Sequence, residues 1–223
     1  MDKFFRSDLP SQTAFPVAKA GYPFIFVAAF TTAILALLGF ATLTLIGLVI
    51  TFCICGFFRD PDRVIPAAKG VVVSPADGKV IAAGLVDDSP FLNGESMKIS
   101  VFMSVFNVHV NRVPYTGRVK EIDYYPGKFF SANLDKASQQ NEHNVVSIEM
   151  ENGKQLCVVQ IAGLIARRII CHIKPGDQVL RGQRFGLICF GSRLDIYLPP
   201  DIKLKSAVGD KVKAGTSVLG QFD

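Results

Sequence analysis

The chain has 223 residues, a formal charge of +5 and a sequence pI near 9.0. That is enough for one domain with a proper core plus an appendage, and the charge favours anionic surfaces, nucleic acid and acidic phospholipid alike. The five cysteines, two in an apolar run and three scattered among strand-like stretches, exclude a disulfide framework or a zinc spacing and fit a reducing compartment.

In chain order, the first feature is Gly21 to Phe58, 38 residues without an acidic or basic side chain. As one helix, at about 1.5 Å per residue, the run would reach about 57 Å, whereas the hydrocarbon core is about 30 Å and takes about 20 residues per span. Two helices folded at Gly39, Tyr22 to Leu38 and Ala41 to Phe58, fit better and keep backbone polar groups paired within lipid. Lys3, Arg6 and Lys19 precede the run and Arg59, Arg63 and Lys69 follow it. Basic residues on both flanks are expected when both ends return to the cytoplasmic face. The organisation read from this is a cytoplasmic N-terminal segment (1–20), a membrane-embedded helical hairpin (21–58) and a β-rich catalytic domain (59–223). A cleaved signal peptide is disfavoured: the run begins late, exceeds the usual apolar region of about 7–15 residues, and continues into Arg59-Asp60-Pro61 without a small-residue cleavage site.

After Pro66 short apolar stretches alternate with Gly, Pro, Asn and Asp, the pattern of strands and turns. Strands are expected at Gly70 to Val73, Lys79 to Leu85, Met97 to Met103, Gly117 to Tyr124, Val145 to Met150, Gln155 to Ile161, Ile169 to Ile173, Gln183 to Cys189 and Leu194 to Leu198. Pro75-Ala76-Asp77-Gly78 reads as a tight turn, and Leu134 to Gln140 carries the one helical hint. An internal repeat, Gly-Asp-x-Val-x-x-Gly, starts at Gly176 and again at Gly209. It reads as a β-turn leading into a strand, as in biotinyl- and lipoyl-type barrel-sandwich domains. Neither Lys174 nor Lys211 sits in the hairpin-tip motif of a carrier lysine. The fold class is therefore mainly β, a barrel-sandwich-like domain preceded by the hairpin.

Gly191-Ser192 is the most informative dipeptide. Glycine tolerates strained backbone, and a serine hydroxyl next to an unshielded carbonyl can attack it. Arg181-Gly182-Gln183-Arg184-Phe185-Gly186-Leu187-Ile188-Cys189-Phe190, running into Gly191-Ser192-Arg193, resembles the cleavage segment of the short bacterial form of the phosphatidylserine decarboxylase family, which are pyruvoyl enzymes. Further blocks resemble that family in its order: Arg59-Asp60-Pro61, Ser74-Pro75-Ala76-Asp77-Gly78, Phe106-Asn107-Val108-His109-Val110-Asn111-Arg112-Val113-Pro114, Leu134-Asp135-Lys136-Ala137-Ser138, Asn141-Glu142-His143-Asn144 and Ile161-Ala162-Gly163-Leu164-Ile165-Ala166-Arg167-Arg168.

The resemblance implies a proenzyme cut between Gly191 and Ser192 into a larger (1–191) and a smaller (192–223) chain that form a heterodimer, with higher oligomers open. It implies that Ser192 becomes a pyruvoyl cofactor, whose ketone forms a Schiff base with phosphatidylserine and draws off the electrons released with CO₂ to give phosphatidylethanolamine. No pyridoxal phosphate, metal or nucleic acid enters this reading. The location it implies is the cytoplasmic face of the cell membrane, with the anionic lipid surface as partner. Activation of Ser192 needs a base. Of the three histidines, His109, His143 and His172, the first lies in a family-like block and is the leading candidate for base and proton donor. Asp77 is the candidate third member, because longer members of the family use an aspartate in an Asp-Gly turn. Those members read Leu-Gly-Ser-Thr at the cut, where this chain has Phe190-Gly191-Ser192-Arg193, and place two histidines three apart, where this chain has His109 and Arg112. Arg112, Arg167, Arg168 and Arg193 are open as phosphate or carboxylate ligands. Competing readings are a membrane-anchored barrel-sandwich adaptor without activity, a serine hydrolase using Ser104 or Ser192, and a nucleic-acid-binding β domain, for which the basic residues are too dispersed.

Overall fold

The apolar run folds into two helices, α1 (Tyr22–Leu37) and α2 (Ala41–Phe57), in a computed structural model that describes residues 4–5, 16–92, 94–132, 140–164, 168–189 and 191–223. Pro23 suits the first turn of α1, where its missing N–H is not needed. Gly39 reverses the chain at φ 76°, a conformation other residues adopt at a cost. The helices approach closely at Gly47, where a Cβ would come within 2.5 Å of Thr32 Oγ1. Thr32 and Thr51 turn their hydroxyls back to their own helices, onto the carbonyls of Ala28 and Gly47, both at 2.8 Å. Small residues thus make the contact, while Phe26, Leu37 and Phe52 stay exposed at 69, 88 and 74%. Helices that associate in lipid have this distribution. Among the described residues, the 19-residue stretch Lys19–Leu37 is long and apolar enough to cross a membrane, and α2 is shorter. This hairpin belongs to one compact unit, Pro10–Asp62; Arg63–Asp223 and the Phe4–Phe5 strand belong to a second.

The second unit is mainly β. Its strands are β1 (Phe4–Phe5), β2 (Ile65–Pro66), β3 (Val71–Val73), β4 (Gly78–Val86), β5 (Ser96–Met103), β6 (Val110–Arg112), β7 (Gly117–Tyr125), β8 (His143–Glu149), β9 (Gln155–Ala162), β10 (Ile169–Cys171), β11 (Gln178–Val179), β12 (Arg184–Ile188), β13 (Ser192–Leu198), β14 (Lys203–Leu204), β15 (Lys211–Val212) and β16 (Val218–Gln221). An eight-stranded antiparallel sheet runs β11-β7-β8-β9-β13-β5-β4-β15, with three-stranded sheets β10-β12-β6 and β14-β16-β3 beside it. All nine expected strands are present. The short β6, β11, β14, β15 and β16 lack the length for an alternating pattern. Of the expected helix only Gln140 is described; its residues 134–139, together with Lys3, Arg6, Arg167 and Phe190, lie outside the described residues.

Strand β13 is buried along all seven residues, paired with β9 on one side and β5 on the other. Side chains alternate across it. Leu194 and Ile196 join Ile99, Val101, Val146 and Val158 in the main core, while Tyr197 joins Val145, Cys157, Val159 and Ile161 in a second cluster.

The repeat forms both edges of the large sheet. β11 pairs with β7 at Gly117, and β15 pairs with β4 at Gly78. The hydrogen bonds correspond one to one: Val119 N–H to Asp177 O (2.9 Å) matches Val80 N–H to Asp210 O (2.9 Å), and Gly182 N–H to Val113 O (2.7 Å) matches Gly215 N–H to Ser74 O (2.7 Å). The Asp177 and Asp210 carboxylates each accept a backbone N–H three residues back, from Lys174 and Ala207, at 2.8 Å. The pairing extends the symmetry to segments 73–80 and 112–119, which share Pro, Gly and Val at equivalent places and whose likeness is weak in the sequence. Gly182 and Gly215 both pack against Ile65 Cδ1. The two edges therefore converge on one side chain, and the sheet is curled.

Candidate active site

Ser192 opens the central strand. Its backbone pairs with Met103 of β5 and Ala162 of β9, so its side chain shares the core face with theirs. Ser192 is fully buried, and its hydroxyl makes no hydrogen bond among the described residues. Leaving such a group unpaired costs about 1–3 kcal/mol, and an orphan of this kind calls for an explanation. Before it, Gly191 has φ 65°, with open space where a side chain would stand. Glycine is thus required there by backbone conformation. At Gly163 it is required by contact, since a Cβ would strike the Gly191 carbonyl oxygen. The carbonyl of the Gly191–Ser192 bond rests directly on the Gly163 backbone.

His109 and Asp77 are placed by the register of β6 and β4. Val110 pairs with Leu187, so the register places His109 beside Ile188, in the segment that leads to Gly191. His109 is fully buried, and its Nδ1 lies 2.9 Å from Asn107 O. A carbonyl can only accept, so Nδ1 carries the hydrogen and Nε2 of the neutral ring is the proton acceptor. Asn107 is itself braced, its Oδ1 accepting from Ser104 N (2.9 Å) and Ser104 Oγ (2.8 Å). The Ser104 hydroxyl is thereby committed to the turn that carries His109. Asp77 stands just before β4, whose Lys79 pairs with Phe102. Its Oδ1 accepts from Ala214 N (2.7 Å) and its Oδ2 from Arg63 (2.8 Å). In the other half of the repeat, Thr116 Oγ1 accepts from Arg181 N (3.1 Å) in the equivalent way. Asp77 therefore has a turn-bracing role built into the symmetry.

His143 is set apart. It pairs with Tyr125 and Ile161, which puts it on the sheet face of Arg193, opposite Ser192. Its ring stacks on Tyr125 at 4.9 Å and lines a cavity of about 500 Å³ with Phe91, Lys98 and Tyr197. His172 is exposed. The arginines also separate. Arg193 is buried, with Nε 2.6 Å from Asp195 Oδ1 and Nη2 3.1 Å from Asp195 Oδ2 and 2.9 Å from Ser100 Oγ. Arg112 is buried and donates to Gly182 O at 2.8 Å. Arg168 is exposed. Burial pushes the Cys189 thiol above its ordinary value, and the nearby Arg168 charge opposes that shift.

The phosphatidylserine decarboxylase family profile matches residues 50–220. The phosphatidylserine decarboxylase proenzyme of Geotalea uraniireducens is 51% identical over 205 residues, covering 92% of this chain and 96% of that protein. Those of Desulfotalea psychrophila and Syntrophus aciditrophicus are 49% and 48% identical over 211 and 207 residues, covering 95% and 92% of this chain and 99% and 97% of theirs. The chain belongs to the phosphatidylserine decarboxylase family.

Two supports of this decarboxylase-family site carry no chemistry of their own and were not singled out in the sequence. Gly163 is one. The other is Asn141, whose Nδ2 donates to Phe130 O (2.8 Å) and Ala162 O (2.7 Å) while its Oδ1 accepts from Phe130 N (2.9 Å). It fastens the loop before it to the strand end beside Ser192. A buried amide chain runs behind, from Asn144 to Gln160 (3.0 Å), from Gln160 to Asn111 (2.8 Å), and from Asn111 toward Met103 Sδ (3.8 Å). Both supports fall inside blocks that resemble the family, but their roles become visible only once distant segments meet. Among the described residues no group of three His, Cys, Asp or Glu side chains is placed to hold a metal.

Proposed function

We propose that this chain is a proenzyme that cuts itself between Gly191 and Ser192 and then decarboxylates phosphatidylserine to phosphatidylethanolamine. The observation that carries the proposal is a buried serine hydroxyl without a hydrogen-bond partner among the described residues, next to a left-handed glycine whose carbonyl is seated on Gly163. Ser192 Oγ attacks the Gly191 carbonyl carbon, the C–N bond breaks, and an ester joins the two residues. Loss of the Ser192 Cα proton then expels the Gly191 carboxylate and leaves a dehydroalanine. Its imine tautomer takes up water and releases ammonia, so the small chain begins with a pyruvoyl group. That group supplies an electron sink for the carbanion formed as CO₂ departs.

His109 is the proposed base: its Nδ1–H is held by Asn107 O, which leaves Nε2 to take the Ser192 proton and later to return one to the product carbon. Asp77 is the proposed third member; its two contacts, to Arg63 and Ala214 N, act by holding the turn beside the site. Among the described candidate arginines, the exposed Arg168 suits a substrate phosphate or carboxylate better than the buried Arg112 and Arg193.

The finer architecture follows the same reading. The symmetric edge strands support a barrel-sandwich arrangement over 59–223, and the exposed apolar helices support a membrane-embedded hairpin at 21–58 with residues 1–20 and the catalytic unit at the cytoplasmic face. After cleavage, chains 1–191 and 192–223 remain associated as a heterodimer. Intact-mass analysis tests the proposal: the parent protein gives two fragments, the smaller blocked and carbonyl-reactive, and Ser192→Ala gives one. A Ser192→Ala variant that still splits at this bond, or active protein with an unmodified serine, would overturn it. His109→Ala is expected to slow splitting or turnover, and parent rates in both would remove it from the site.

A further inference from the structure

Three strand ends meet at the scissile bond, and two of them lead into exposed apolar residues. Chain direction sets this up. β5 leaves the sheet at Met103 and β9 at Ala162, while β13 starts between them at Ser192. Adjacent strands lie about 4.8 Å apart, so the loops after Met103 and Ala162 emerge about 10 Å from each other with Gly191 between. The first carries Val105 and Phe106, 41 and 82% exposed, and the second carries Leu164, 64% exposed. Single exposed apolar residues are ordinary. Three of them bracketing one bond at one end of a sheet form a patch with a direction. Of the charged side chains described around it, Lys128 and Arg168 are basic and exposed, Glu142 at the foot of β8 is half-buried, and Asp77 is buried and paired with Arg63.

We infer that these exposed residues are a docking rim by which the catalytic unit sits on an anionic phospholipid bilayer, Val105, Phe106 and Leu164 entering the interface and Lys128 and Arg168 meeting lipid phosphates. The inference rests on the lipid substrate proposed above. A diacyl substrate keeps its chains in the bilayer, so a fully buried residue 192 can be reached only if the site is brought down to headgroup level. Apolar side chains that insert, combined with cations that meet anionic headgroups, give the usual two-part interfacial affinity.

The chain contains no tryptophan, so one introduced residue reports alone. Full-length Phe106→Trp, Leu164→Trp and, as a control, Leu85→Trp on the far part of β4, 53% exposed, would be reconstituted into phosphatidylglycerol–phosphatidylcholine vesicles with brominated acyl chains. The expected result is at least twofold quenching at positions 106 and 164, and emission at position 85 unchanged from unbrominated vesicles. Quenching at position 106 should fall in phosphatidylcholine alone. Absence of quenching at position 106, as when a second copy of the chain covers the rim, or equal quenching at all three positions, would overturn the rim; equal quenching without anionic lipid would overturn the role of charge. Fluorescence does not depend on turnover. An inactive chain quenched at position 106 therefore counts against the substrate reading alone, and an active chain without quenching counts against the rim alone.

Discussion

Two glycines and one serine define the candidate site at the residue scale, and each glycine is there for its own reason. Gly191 is held by its φ of 65°, and Gly163 by the carbonyl packed on it. Gly163→Ala should therefore push the scissile carbonyl off its seat without disturbing the core. We expect splitting to slow by about tenfold or more, which corresponds to about 1.4 kcal/mol of barrier, in a time course followed by intact mass. A variant that matures at the parent rate would show that the contact is incidental. Gly191-Ser192 was legible in the sequence because the segment running into it, Arg181 to Phe190, resembles the cleavage segment of the family. Gly163 was not, because its meaning lies in a contact with a residue 28 positions later in the chain.

At the element scale, β13 puts the proposed nucleophile at the mouth of a strand buried along all seven residues. The residue after Ser192 is tied by a bidentate ion pair to Asp195, two positions on and on the same face, with Lys98 Nζ a further 3.4 Å from Asp195 Oδ2. This holds the strand end in register from the side opposite the core. Removing one partner strands a buried charge, so Arg193→Met should cost about 3–5 kcal/mol, whereas Arg193→Met combined with Asp195→Met should recover most of it. Guanidinium unfolding of the matured protein checks this, and a double variant no better than the single one would refute it. The sequence pattern alone starts this strand at Leu194, two residues after its observed start at Ser192. Arg193 and Asp195 look like a turn or an exposed edge until their mutual pairing is seen.

At the scale of the whole molecule, the segment 192–223 is threaded through every sheet except β10-β12-β6 and the short β1-β2 pair. It supplies the centre of the large sheet, one of its edges at β15, and β14 and β16 of a smaller sheet. Leu194, Ile196, Leu198, Ile202, Val212, Leu219 and Phe222 are all buried, and each is worth about 1.5–3 kcal/mol. The proposed cut should therefore leave one particle: the two chains should co-elute on size exclusion in native buffer and part only in denaturant, and separation without denaturant would contradict this architecture. By itself the sequence determined the apolar helix pair, the β class and most strands, because hydrophobic period and turn residues act over a few neighbouring positions. Tertiary structure alone decided that His143 faces away from Ser192, that Arg112 and Arg193 are internal struts, that Asp77 matches Thr116 across the repeat, and that Gly163 carries the Gly191 carbonyl. Those are consequences of strand order and register, which bring together residues that nothing local links.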